Sequence, residues 1–293
     1  LEAARVLSKQ KFATTIVYAV LSGEEQGLLG GKLLAEYAEK QGWKVKAVLN
    51  NDIVGNTRGS DGLVDDKAVR VFSEGPRGDG DDKLRAAVRR FGGENDSPGR
   101  NLSRFIAGIA GGQKGGLAVR QVWRTDRMGR GGDHIPFLDK GYPAIRFSVG
   151  VENYDHQHQD LRTEKGVVYG DTAEFMDFPY LAKVTRLNVA TLAAIARAPI
   201  APAASAEAAV QTFTTVKWTP SAGAVAYKVW RRRTDARDWS QPVTVKGGAS
   251  ASLKLDGVRG DDWLFGVSAL AADGSESPVA SAVPGGQYGP FSR

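Results

Sequence analysis

The alternation of apolar runs with helical patterns is the feature of this sequence that most constrains its fold. An apolar run over Thr14–Ser22 is followed by a helical pattern over about residues 25–39 and by a second apolar run over Val45–Asn51. A strand, a helix and a strand at this spacing predict a βαβ unit with parallel strands. Further patterns predict strands at 69–73, 116–123 and 143–149, helices at 1–8, 81–91 and 174–196, and a long glycine-rich loop at 92–116. The alternation indicates a three-layer α/β domain.

The composition changes after residue 197. The segment APIAPAASAEAA is rich in alanine and proline and has no apolar period, which is typical of a linker. The short alternating runs that follow, with turn residues between them, predict an all-β sandwich. The predicted boundaries are an α/β domain over 1–198, a linker over 199–208, a sandwich over 209–285 and a tail over 286–293.

Composition and charge exclude several classes of protein. The chain contains no cysteine, so disulfide frameworks, thiolate zinc sites and thiol nucleophiles are excluded. It has no run of 18 or more apolar residues, so we expect no membrane span. The net charge is +6, but the densest basic run, Arg231–Arg233, is short and lies in a strand pattern. We interpret this run as a solvated strand end and expect no nucleic-acid partner.

Two adjacent carboxylates, Glu24 and Glu25, stand where the first predicted strand ends, in VLSGEEQGLLGGK. A phosphate-binding loop is rejected, because Gln26 replaces its first glycine and Leu33 its Ser/Thr. Ser22 and Glu25 do fit a capping box, which would make Glu25 a structural residue and leave Glu24 unexplained.

Asp52 ends the next predicted strand, 27 residues after Glu25. Turn formation is the structural alternative for this residue. In an open α/β sheet, however, the carboxyl ends of neighbouring parallel strands lie at one rim, where ligands bind. We expect Glu24, Glu25 and Asp52 to meet there, and a divalent cation would compensate their repulsion.

Two of the three histidines, His156 and His158, lie in the segment NYDHQHQD beside Asp155 and Asp160. A carboxylate next to a metal-binding histidine can orient its ring, so this spacing fits a metal loop better than a solvated one. Carboxylate and imidazole ligands without thiolates are typical of catalytic zinc.

Four segments in this order, SGEEQGLLGG, LNNDIVGN, GGDHIPFLDKGYPAIRF and ENYDHQHQD, resemble the M28 family of zinc-dependent aminopeptidases. The resemblance extends over roughly residues 1–197. It implies a three-layer, mixed-sheet, zinc-exopeptidase-like α/β domain, which is followed here by the C-terminal all-β sandwich. It also implies a peptide substrate and zinc as the cofactor, with two ions expected in the complete protein.

The resemblance assigns roles to individual residues. It implies that Glu24 is the general base and that Glu25 and Asp52 bind metal. The last ligand would be His156, four residues before Asp160, with His158 as the alternative. Residues implied to line the site are His158, Asp133, His134 and Asp160. Asp133 also fits a structural role as the N-cap of a helix that begins near Ile135.

The sequence departs from the family pattern at its start. The family has one more histidine ligand and a bridging aspartate, both upstream of a helix like LEAARVLSK, and neither is present here. Because the chain starts with Leu and with a helical pattern that has no cap, we expect the domain to be N-terminally incomplete. We therefore expect weak or absent zinc binding by residues 1–293 alone, and two ions when the upstream segment is present.

The leading hypothesis is an aminopeptidase that uses a metal-activated water, with Glu24 as the proton acceptor. The alternatives are a carboxypeptidase or a glutaminyl cyclase on the same fold, or a non-catalytic binding module, against which the presence of Glu24 argues. Residues 92–131, with Arg124, Arg127 and Arg130, form either a rim over the pocket or a mobile surface loop.

The predicted sandwich resembles a fibronectin type III domain over about residues 208–285. Trp218 and Tyr227 lie on its early strands, and we expect both to be core residues. Such modules on hydrolases imply an exported protein, so we expect a secreted or periplasmic location, and they act as spacers or contact a surface or polymer.

Overall fold

The computed structural model describes residues 1–291, and its first domain is built on a mixed four-stranded sheet. The strand order is β1-β4-β2-β3. β1 pairs with β4 and β2 with β3 in parallel, whereas β2 and β4 are antiparallel. The strands are β1 (Val48–Asn51), β2 (Ala68–Phe72), β3 (Ala118–Val122) and β4 (Ala144–Val149). A β5–β6 hairpin (Arg162–Glu164 and Val167–Tyr169) follows the histidine loop.

Helices pack on both faces of this sheet. The helices are α1 (Glu2–Leu7), α2 (Leu29–Lys40), α3 (Asp82–Phe91), α4 (Pro98–Gly111), α5 (Ile135–Asp139) and α6 (Phe178–Arg197). The larger core cluster joins α4 and α6 to the sheet through residues such as Ile106, Phe147 and Leu187. A second cluster joins α2 and α5 to the start of β4 at Ala144. Across residues 1–291, no helix is both long and apolar enough to cross a bilayer.

The first predicted strand, Thr14–Ser22, is not part of the sheet. Within residues 1–291 this segment forms no strand, and the side chains of Val17 and Val20 are 52% and 95% exposed. A cavity of about 950 Å³ lies between the segment and β1 and is lined by residues of both. The prediction of a βαβ unit is therefore wrong, because the two segments do not make the backbone hydrogen bonds of a ladder.

The predicted glycine-rich loop contains helix α4, so this prediction is also wrong. The Ser97 side chain accepts a hydrogen bond from the backbone N–H of Arg100, and Pro98 occupies the first turn. Leu102 and Ile106, one turn apart, are fully buried against the sheet. Burial of this apolar stripe outweighs the low helix propensity of the glycines.

The C-terminal module is a sandwich of two antiparallel sheets with orders β10-β9-β12-β13 and β11-β8-β7. Its core includes Trp218 and Tyr227, as expected from the sequence. The strands are β7 (Ala204–Glu207), β8 (Phe213–Trp218), β9 (Ala226–Arg233), β10 (Ser240–Lys246), β11 (Ser252–Asp256), β12 (Trp263–Leu270) and β13 (Ala280–Ser281).

Two segments assigned to a linker and a tail are built into the folded modules. Part of the predicted linker 199–208 is strand β7, which pairs with β8. In the predicted tail 286–293, the backbone N–H of Phe291 donates to Asp79 of the first domain (2.7 Å). Arg77 of the first domain donates to the carbonyl oxygens of Gly285, Gln287 and Gly289.

The arginine run was also misinterpreted at its central residue. Arg232 is buried, and its Nη2 lies 2.5 Å from Oδ2 of Asp96 in the first domain. Side chains alternate between the two faces of β9, so Arg232 lies on the face opposite to that of Arg231 and Arg233. The two modules are therefore joined by a buried ion pair.

Candidate metal centre

The loop that carries Glu24 and Glu25 turns into α2 through backbone hydrogen bonds. Gly30 N–H donates to the carbonyl of Ser22 and Leu28 N–H to that of Glu24, at 2.9 and 2.8 Å. Leu28, at the N-cap, has a left-handed backbone (φ 62°) and its side chain forms no cap, whereas the Asp133 carboxylate accepts a hydrogen bond from Gly31 N–H in the first turn. The predicted capping box is therefore wrong: the helix starts too late for Ser22 and Glu25 to cap it. Both glutamate side chains are free for another role.

Five of the predicted site residues line one open cleft of about 940 Å³. It lies at the carboxyl end of β1, where the strand runs into the loop after Asp52. The five residues are Glu24, Glu25, Asp52, His156 and His158. The chain thus brings together acidic and imidazole groups that lie more than one hundred positions apart in the sequence.

The two histidines have different neighbours in the cleft. Nε2 of His158 lies 3.5 Å from Oε1 of Glu25, and the backbone of His158 is left-handed (φ 52°). His156 instead stacks on the ring of Phe175, with centroids 3.6 Å apart. The choice between His156 and His158 as the metal ligand stays a prediction.

The donor chemistry of the cleft fits zinc, but the set of ligands is partial. Glu25 and His158 place a carboxylate oxygen beside an imidazole nitrogen, which is a pairing that zinc favours. Within residues 1–291, no three side chains of the types His, Cys, Asp or Glu are arranged to hold a metal ion. The donor types therefore fit zinc, whereas the described residues alone do not complete a site for it.

Asp52 forms an ion pair with Arg146, which was not among the predicted site residues. Nη1 of Arg146 lies 3.1 Å from Oδ2 of Asp52, and its side chain is fully buried in β4. An arginine inside the apolar run PAIRFSV was the available signal, since an isolated buried charge needs a partner.

Burial and charge act on the groups around Glu24. Burial, followed by the nearby charges of Asp52, Glu25 and Asp133, raises the pKa of the Glu24 carboxyl. Burial lowers the pKa of the His134 imidazole, so that side chain is held neutral. A glutamate with a raised pKa is suited to accept and return a proton near neutral pH.

The remaining predicted residues lie beside the cleft or away from it. Asp133 accepts a hydrogen bond from Gly31 N–H in α2 (3.2 Å), whereas the N-cap of α5 is His134. The predicted cap role of Asp133 is wrong, because its carboxylate is directed to the other helix. His134 is buried, with Nε2 3.0 Å from the Thr125 carbonyl, and Asp160 is exposed on the loop.

Two of the three arginines considered for the rim line the cleft. These are Arg127 and Arg130, which face the buried carboxylate of Glu152 at 3.5 and 3.2 Å. Arg124 is exposed. The Arg130 side chain remains 33% exposed, so its charge is accessible from the cleft.

Comparison with known proteins shows the family of this chain. Residues 1–165 match the family model described as peptidase family M28. Over 97% of its length, the chain is 40% identical to proteins named "probable zinc metalloprotease" from Leptosphaeria maculans, Pyrenophora tritici-repentis and Pyrenophora teres f. teres. It spans 66%, 60% and 59% of their respective lengths.

The chain belongs to peptidase family M28. Among solved structures, an Fn3-like protein from Clostridium thermocellum is 23% identical, with a TM-score of 0.23. That match covers 28% of this chain and 85% of the other.

Proposed function

We propose that this protein is a zinc-dependent aminopeptidase that removes N-terminal residues from peptides. The observation that carries the proposal is the shared cleft of Glu24, Glu25, Asp52 and the histidine loop. Glu25, Asp52 and His156, with His158 as the alternative, would hold zinc, and two ions are proposed when every ligand is present. Bound zinc supplies Lewis-acid activation of water and of the substrate carbonyl.

Glu24 is the proposed proton carrier. It accepts the proton of the attacking water and returns it to the amine that leaves when the peptide bond breaks. Burial and the neighbouring carboxylates raise the pKa of its carboxyl, which makes it a stronger base. A free α-amino group carries a positive charge, and the acidic groups at the open side of the cleft attract it. This attraction favours cleavage at the N-terminus over internal cleavage.

A carboxypeptidase is the second candidate, and the accessible charge of Arg130 favours it. An arginine in the cleft can pair with the terminal carboxylate of a peptide. Two substrates separate the candidates. An aminopeptidase does not cleave a peptide whose N-terminus is acetylated, whereas a carboxypeptidase does not cleave a peptide whose C-terminus is amidated.

The test of the proposal is Glu24→Gln in the complete gene product loaded with zinc. We expect hydrolysis of an aminoacyl-p-nitroanilide to fall by about 10²–10⁴-fold while bound zinc is unchanged. Glu36→Gln, on the exposed surface of α2, is the matched control and should keep wild-type activity. Activity of Glu24→Gln equal to that of Glu36→Gln would contradict the role of Glu24, and an inactive wild-type complete gene product would contradict the proposal.

We also propose that the sandwich is a fibronectin type III-like module of a secreted or periplasmic protein, where it contacts a surface or polymer. Its two antiparallel sheets and buried Trp218 and Tyr227 support the module type. Fractionation of cells that express the complete gene product tests the location.

A further inference from the structure

Arg146 is a cation in the middle of a completely buried strand. All six residues of β4 are buried. Ile145 and Phe147 belong to the core on the α4–α6 side, and Ala144 belongs to the cluster on the α2–α5 side. Since side chains alternate along a strand, Arg146 faces the α2–α5 side with Ala144. A buried guanidinium is costly unless carboxylates and carbonyls surround it.

The partners of Arg146 connect the core to the cleft. Its Nη1 lies 3.1 Å from Oδ2 of both Asp126 and Asp52, and it donates to the Gly131 carbonyl at 2.8 Å. Asp126 is almost fully buried and also pairs with Arg127 at 3.0 Å. Because Asp126 is shared between two arginines, the buried charge of Arg146 also depends on Asp52. Asp52 is the partner that reaches the cleft, with 30% of its side chain exposed.

Gly132 provides the space that this arrangement needs. A Cβ on Gly132 would lie 3.0 Å from Nη1 of Arg146 and 3.3 Å from both Asn50 Nδ2 and His134 Nδ1. Such contacts are shorter than ordinary packing distances, so a side chain at residue 132 would push the guanidinium from its present position beside Asp52. Three polar nitrogens therefore lie close to the position that a Cβ of residue 132 would occupy.

We propose that Arg146 is a positioning residue that fixes the Asp52 carboxylate in one orientation at the edge of the cleft. The contact between Arg146 and Asp52 does not depend on the proposed function. Its consequence, that Asp52 is preorganised as a metal ligand, rests on the proposed function. A group that orients a metal ligand contributes to metal affinity and activity without touching the metal. Arg146 thus acts through Asp52 and is not itself a catalytic residue.

A double-mutant cycle on the metal-free chain tests the contact itself. Arg146→Gln, Asp52→Asn and the double variant are compared by urea unfolding. We expect a coupling of at least about fivefold in the unfolding equilibrium constant, since each side chain loses its partner in the single variants. The matched control is Arg70→Gln with Asp52→Asn, because Arg70 lies on the neighbouring strand β2 and pairs with Glu152 instead of Asp52. The proposal would be overturned if the effects of Arg146→Gln and Asp52→Asn on the unfolding equilibrium constant multiply to within about twofold of the effect of the double variant.

The consequence for the site needs a variant that keeps the charge. In the complete gene product, we expect Arg146→Lys to lower zinc affinity, measured by calorimetry, by about 10–100-fold, with Arg70→Lys within about twofold of wild type. Gly132→Ala serves if Arg146→Lys does not fold, and we expect a loss of affinity in the same direction. Zinc affinity unchanged in the folded variants would overturn the positioning role. A wild type that binds no zinc would instead contradict the proposed function, and the metal-free cycle would still decide the Arg146–Asp52 contact.

Discussion

The ion pair between Arg232 and Asp96 is expected to hold the two modules together as one cooperative unit. The side chains are 3% and 1% exposed, and Ser281 Oγ donates to the other carboxylate oxygen of Asp96 at 2.8 Å. Arg232→Ala would leave the Asp96 charge buried with the Ser281 hydroxyl as its remaining side-chain hydrogen-bond partner among residues 1–291, and with the more distant charges of Arg100 and Arg104. Removing one member of a buried ion pair costs about 3–5 kcal/mol, because the other charge stays desolvated.

Urea unfolding followed by tryptophan fluorescence and by far-ultraviolet circular dichroism measures this cost. Arg233→Ala is the matched control, since Arg233 is the next residue on β9 and pairs with Asp262 at 3.5 Å in a largely exposed position. An exposed pair contributes about 0–1 kcal/mol. We expect the two variants to differ by at least about 2 kcal/mol in free energy of unfolding.

The wild type should also unfold in one transition that both probes follow, because buried contacts join its modules. Asp96→Asn tests the same pair from the other side and should cost a similar amount. The reasoning is refuted if Arg232→Ala costs no more than Arg233→Ala, or if the wild type unfolds in two separate steps.

Three further predictions concern the cores of the modules. Burial raises the pKa of Glu74 to about 8 from 4.5, so the folded state favours its protonated form. The free energy of unfolding should therefore fall as the pH rises between these two values, by up to about 1.4 kcal/mol per pH unit. In urea unfolding at several pH values, Glu74→Gln should show a smaller fall. Leu102→Ala on the buried face of α4 should lower the free energy of unfolding by about 2–5 kcal/mol. A decrease of less than about 1 kcal/mol would argue against this packing. Tyr227→Phe removes the hydroxyl that donates to the Gly248 carbonyl and accepts from Ser221 N–H, and should lower the unfolding free energy by about 1–3 kcal/mol in the same assay.

Elements with local signals could be predicted from the sequence. Helix α3 begins after Asp81 and α6 after Asp177, and both aspartates cap their helices as the local pattern allows. Helix α4 was missed because its glycines suggested a loop, although Ser97 and Pro98 are ordinary start signals. The apolar run at Thr14–Ser22 has strand composition, but pairing depends on a neighbour that local sequence does not specify.

The candidate site was partly predictable for a similar reason. Carboxylates after strand-like runs and a histidine pair could be placed near one edge of a sheet, and their side chains do line one cleft. Their chemical roles stay predictions. The contact between Arg146 and Asp52 depends on the register of β1 against β4, which apolar patterning does not determine. The cap assigned to Ser22 and Glu25 failed because the backbone of the loop makes its own turn first.

Zinc-edge anomalous diffraction from crystals of the complete gene product soaked in zinc measures the central claim most directly. We expect a peak in the cleft about 2.0–2.2 Å from carboxylate oxygens of Glu25 and Asp52 and from a nitrogen of His156 or His158. A cleft without zinc density, with zinc bound only elsewhere on the molecule, would contradict the assignment.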